Sequence, residues 1–130
     1  MNNTIIGFIY LFSSIIAGIA SQLLIKWRVT GHIITLLPMP NGILHKIFFL
    51  IKVLFDPFIF LACIFTLIAG LLWMATMTKM EISYAYPFTT LGFIAVLLLS
   101  VWLFGESINI YKIVGCLVII VGVIITSRGL

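Results

Sequence analysis

Four uninterrupted apolar stretches, at roughly 4–27, 57–78, 83–104 and 110–127, most limit what this chain can fold into. About 20 mainly apolar residues suffice for an α-helix to cross a bilayer, and a helix satisfies its backbone polar groups internally. Each stretch reaches or approaches that length. The last three are joined by connectors as short as "KMEI" and "GESIN", so neighbours run antiparallel. The expected fold is an all-α membrane protein, a single transmembrane domain over residues 1–130 built as a compact four-helix bundle. Composition agrees, with 64% of residues hydrophobic and 8% charged, where a soluble domain carries about a quarter charged residues. Lipid has to solvate most of the surface.

The first stretch invites comparison with a cleaved signal peptide, because Gly18 and Ala20 resemble the small residues before a cleavage site. No basic segment precedes it, however, and it continues unbroken through Leu23, Leu24 and Ile25. It reads as a retained helix.

The connector from Arg28 to Asp56 is long, and its second half, "NGILHKIFFLIKVLFD", is nearly apolar. Running it into the second helix would give more than about thirty apolar residues, too many for one span. Asp56-Pro57 supplies the break, since a residue before proline avoids the α region. An earlier break, "PMPNG", starts the segment. Within 41–55 the polar positions Asn41, His45 and Lys52, followed by Asp56, recur at helical spacing with Ile, Leu and Phe opposite. That pattern predicts an interfacial amphipathic helix between helices one and two.

Seven basic residues oppose three acidic ones, for a net charge of +4. They stand singly at the ends of apolar runs, which is the pattern of a membrane interface facing anionic lipid rather than a nucleic-acid surface. Connectors one and three, with Lys26, Arg28, Lys46, Lys52 and Lys112, outweigh the other side, with Lys79 and Arg128. The positive-inside tendency places those connectors in the cytoplasm and both termini outside. Cys63 and Cys116 lie inside apolar runs without metal-ligand spacing and read as small hydrophobes. No catalytic triad, metal cluster or phosphate-binding loop is legible, so neither an enzyme, a cofactor nor a metal is expected.

The residues that could carry chemistry gather on helices one and three. Ser14, Gly18, Gln22 and Lys26 follow one another at i+4 and share a helical face, widened by Ala17 and Ser21. Such a face either packs tightly against a neighbouring helix or lines a polar cavity, and polar groups at depth favour a cavity or a partner. Lys26 stands close enough to the helix end to reach the interface instead. Helix three opens with "EISYAYPFTTLGF". Pro87 removes a backbone donor, Tyr84 and Tyr86 are either interfacial belt residues or part of the cavity, and Thr89 and Thr90 carry polarity inward. Glu106 is a loop acid, a cap of helix four near Lys112, or part of the site. Gly115 and Gly122 share a face of helix four.

In combination, "AYP" in helix three, "GE" after it and "GCLVIIVGV" in helix four resemble one repeat of the EamA-type transporters of the drug/metabolite transporter superfamily. The short chain resembles the small multidrug resistance proteins, which are four-helix dimers. The resemblance implies a homodimer, or a heterodimer with a paralogous small subunit, packed through Gly115 and Gly122. Those proteins carry a glutamate in helix one that exchanges protons for cationic drug. Aligning "YLFSSIIAGIASQLLIKW" with that helix puts Gly18 at the glutamate position, so proton-coupled cation export is disfavoured.

The small subunits that flip aminoarabinose-phosphoundecaprenol across the bacterial inner membrane are more similar. They have a glutamine four residues before a lysine at the end of helix one, like Gln22 and Lys26, a "YP" like Tyr86-Pro87 and an acid like Glu106. This resemblance implies a flippase for a polyprenyl-phosphate-linked sugar, with Ser14, Gly18, Gln22, Lys26, Tyr84, Tyr86, Pro87 and Glu106 around the substrate. Lys26, Arg28, His45 and Lys52 would face the phosphate or lipid headgroups. Two other readings stay open: a small-molecule or multidrug exporter of the same fold, and a non-transporting partner subunit.

Overall fold

The computed structural model describes residues 3–33 and 41–128. They form five α-helices: α1 Asn3–Arg28, continued by a π turn over Val29–Ile33, then α2 Ile43–Leu54, α3 Pro57–Met77, α4 Ile82–Phe104 and α5 Ile110–Ser127. No strand occurs among the described residues. Four of the helices are long and apolar enough to cross a membrane.

Local chemistry sets the helix ends. Gly42 enters α2 at φ 112, a conformation that suits glycine because it has no Cβ. Asp56 caps α3 by accepting a hydrogen bond from the Phe58 amide at 3.1 Å, and Pro57 takes the first helical position, where no intrahelical donor is lost. Gly105 closes α4 in the left-handed conformation at φ 64. Asn109, not Glu106, caps α5, accepting from the Tyr111 amide. The break expected at Pro38–Pro40 lies outside the described residues.

α1 is the centre of the packing. It lies along α3 for most of its length and crosses α4, whereas α3 and α4 barely touch beyond the turn that joins them. Small residues allow the approach, since backbones in lipid associate through close packing rather than hydrophobic exclusion. Ala17 and Ala62 are buried between α1 and α3, with Ser14 and Ser21. Across the α1–α4 contact, a Cβ on Gly92 would stand 3.1 Å from Ile15 Cγ2.

The closed four-helix bundle does not form within one chain. α5 packs on α4 and on no other helix to a comparable extent, and Val123 is its only buried residue. Short connectors dictate antiparallel neighbours but not closure. Between Ile113 and Ile125 α5 offers no charged or hydroxyl side chain that could bond to α1 or α3.

Candidate functional site

A cleft of ≈ 660 Å³ opens at mid-span between α3 and α4, with α1 as its floor. The floor is Ser14, Gly18 and Gln22 with Ile15 and Ile19. One wall is Thr66, Gly70 and Trp73 of α3, spaced i, i+4 and i+7 and so on one face; the other is Thr89, Gly92, Phe93 and Val96 of α4. The cleft exists because α1 holds both walls while they hold each other so little.

Most hydroxyls around it are already engaged with backbone. Ser14 Oγ donates to the Ala69 carbonyl at 2.8 Å, and Ser21 Oγ donates to the Ala62 carbonyl at 2.8 Å while lying 2.7 Å from Thr66 Oγ1. Thr89 and Thr90 donate back to the carbonyls of Tyr86 and Pro87 at 2.6 and 2.5 Å, so their hydroxyl hydrogens are taken up on α4 itself. Two groups in the lining keep free donors: the Gln22 carboxamide and the Trp73 indole N–H have no hydrogen-bond partner among the described residues. The cleft therefore offers amide and indole donors, hydroxyl acceptors and aromatic surface, with no charge. All three acids of the chain, Asp56, Glu81 and Glu106, lie outside the spanning helices.

The structure divides the residues singled out from sequence. Ser14, Gly18 and Gln22 come together in the cleft, and Lys26 does not. One helical turn further on, Lys26 forms an ion pair with Glu106 and its Nζ sits 4.9 Å from the centre of the Phe104 ring. The Glu106 carboxylate also lies 2.9 Å from Ser100 Oγ. The Lys26 ammonium, and then the Ser100 hydroxyl, hold that carboxyl below the usual range. Arg28 is bound too. Its Nε lies 3.0 Å from both Asp56 oxygens and a terminal nitrogen 2.7 Å from Oδ2, and this fork depresses the Asp56 pKa. His45 and Lys52 lie exposed on α2, and neither has an ion pair among the described residues.

Tyr84 packs edge-on against Phe8 and Phe88, at 6.0 and 5.2 Å between ring centres, at the opposite end from Lys26. Tyr86 is outside the cleft but stands edge-on to Trp73 at 5.7 Å, where it fixes that ring against the wall. Gly115 and Gly122 have open space where a Cβ would be. Sequence reasoning missed the α3 wall. Its signal was present in the one-face spacing of Thr66, Gly70 and Trp73 within an otherwise uniform apolar run.

Four spanning helices, three of which line an uncharged mid-span cleft, define a small multi-pass membrane protein. Residues 2–128 match the EamA-like transporter family, and the chain belongs to it. It is thereby a membrane transporter of the drug/metabolite type. No curated protein and no solved structure matches the chain significantly.

Proposed function

We propose that the chain works as a dimer in the bacterial inner membrane and moves a polyprenyl-phosphate-linked sugar, or a related lipid, from one leaflet to the other. The observation that carries this reading is the chemistry of the cleft. Gln22 and Trp73 donate, Thr66 and Thr89 accept, and the Trp73 and Phe93 rings supply faces, a set that suits an uncharged polyhydroxyl head group. A cleft open at the side lets a prenyl tail remain in lipid while its head group crosses. The absence of any acid within the spanning helices argues against exchange of a cation for protons.

One observation favours a second reading, a carrier of neutral metabolites. Lys26 and Arg28 are both neutralised by carboxylates, so a substrate phosphate would have to displace Glu106 or Asp56 to reach them. The deciding experiment uses proteoliposomes carrying a lipid-linked sugar, with sidedness read by a membrane-impermeant oxidant. The protein should speed transbilayer exchange, Trp73→Ala and Gln22→Leu should each slow it strongly, and Lys26→Gln should slow it far more than Lys79→Gln. Exchange no faster than in empty vesicles would overturn the flippase reading. Equal, mild effects of the two lysine changes would remove Lys26 from phosphate handling.

A further inference from the structure

We infer that α2 is a docking surface for anionic phospholipid, separate from the transport cleft. Two independent observations converge on it.

The first is an unpartnered apolar arc. At 3.6 residues per turn, Ile43, Leu44, Ile47, Phe48, Ile51 and Leu54 fall on one side of α2. Every one of them is exposed, and Ile43, Leu44 and Phe48 are 80%, 81% and 72% accessible. Only Phe49 and Val53, on the opposite side, are partly covered, and α2 touches α3 lightly. The helix is thus attached along the side that carries Phe49 and Val53 and presents the wider apolar arc outward.

The second is charge. Lys46 and Lys52 flank this arc on either side. Of the three acids in the chain, Asp56 and Glu106 are already held by Arg28 and Lys26, and Glu81 lies at the other end of the molecule. Lys46 and Lys52 therefore stand beside an apolar strip with no ion-pair partner among the described residues. Position makes a bilayer the occupant. The Arg28–Asp56 fork fixes the C-terminal end of α2 next to the ends of α1 and α3, which is where two spanning helices leave the membrane. A helix held there with its apolar arc outward inserts that arc among acyl chains and sets its two ammonium groups at headgroup level, where phosphates carry the complementary charge.

The test uses the full-length protein with Cys63 and Cys116 replaced by Ala and an environment-sensitive fluorophore attached at Phe48→Cys. It is reconstituted in phosphatidylcholine vesicles containing equal mole fractions of either brominated phosphatidylcholine or brominated phosphatidylglycerol. Both lipids should quench the label, and the apparent preference for phosphatidylglycerol in quenching titrations should be roughly fivefold per lysine at low salt. Lys46→Gln with Lys52→Gln should abolish the preference while leaving quenching by phosphatidylcholine intact, which shows that the helix is still folded and inserted. Lys79→Gln should leave the preference unchanged, and added salt should weaken it. Equal quenching by the two lipids at low salt would overturn the inference. So would no quenching by either, which would mean that a protein surface, a second copy or another chain, covers the arc.

Discussion

Gly18→Glu is the substitution that most directly tests whether the cleft is a low-polarity compartment and whether its neutrality decides what it carries. The side chain has room, because a Cβ at Gly18 meets no atom within 4 Å and the residue forms part of the cleft floor. Replacing a mid-helix glycine gains up to about 1 kcal/mol of helix propensity. The opposing effect is larger, since an ionised side chain at the centre of a membrane helix costs roughly 2.5 to 3.5 kcal/mol. No cation relieves it. Lys26 is eight residues away, about 12 Å along the axis, and is held by Glu106. At about 1.36 kcal/mol per pKa unit, the penalty lifts the new carboxyl from the ordinary acidic range to near neutrality.

A carboxyl titrating near neutral pH in an open cleft is what proton-for-cation exchange needs, and the natural chain lacks it. The wild-type protein in nanodiscs should show no specific binding of tetraphenylphosphonium by calorimetry. Gly18→Glu should bind it, more tightly as pH rises from 6 to about 8, with protons released into the buffer. Wild-type binding with proton release as strong as the variant's would refute the argument from charge. A variant carboxyl that titrates like a surface glutamate would refute the low polarity of the cleft.

Three further outcomes follow from the packing. Ser14→Ala and Ser21→Ala each remove a hydrogen bond between α1 and α3, so each should cost about 0.6 kcal/mol and at most about 1.7 kcal/mol in denaturant unfolding from detergent; a cost above that would mean the serines also hold the cleft open. The Asp56 and Glu106 carboxyls have depressed pKa values, so their stabilising contribution is complete above the ordinary carboxylate range and is lost as pH falls through the folded values. Thermal unfolding should be flat from neutral pH down to about 5 and fall only below it, and Asp56→Asn should reduce that acid dependence. Gly115→Leu and Gly122→Leu point into open space in the single chain, so their helicity and unfolding should match wild type. If α5 forms the dimer contact, the same variants should run as monomers in analytical ultracentrifugation, and dimers of undiminished affinity would place the contact elsewhere.

Much of the architecture could be read from one dimension because lipid simplifies the code. Apolar length marks each spanning helix, and Asp56-Pro57 and Gly105 show where helices must start or stop. Ser14, Gly18 and Gln22 were visible as a face because polar and small residues stand out against α1. The α3 wall was harder, since Thr66, Gly70 and Trp73 sit in a run where isoleucine and leucine dominate. Which side of a uniformly apolar helix faces inward is set by its neighbour, not by its own pattern. The Lys26–Glu106 pair was out of reach for a different reason. The two residues are 80 positions apart, and only the crossing of α1 against the end of α4 brings them together. Glu106 therefore looked like a cap for the helix beside it.

The same arrangement implies where the cleft widens. Moving α3 away from α4 means turning one of them about α1, and the two ends of the molecule resist unequally. At the Gly7 end, α3 and α4 are joined by the short turn through Thr78–Glu81, in which the Thr78, Lys79 and Met80 amides bond back to the end of α3, and Met80 lies so close over Gly7 that a Cβ there would overlap it. Phe8, Tyr84 and Phe88 pack together beside it. At the other end α3 and α4 share no turn and are linked through α1 by two ion pairs, Arg28–Asp56 and Lys26–Glu106, at the aqueous boundary. Such pairs contribute little to holding the helices together where water can replace them. The Thr78–Glu81 end is thus the hinge and the ion-paired end is the mouth. Spin labels at Phe60 and Leu103 should show a broad distance distribution that shifts on substrate binding, while labels at Met77 and Ile82 should stay narrow. Lys26→Gln with Arg28→Gln should move the first pair outward without substrate. Broadening at the Met77–Ile82 pair instead would put the hinge at the wrong end and refute this account of the opening.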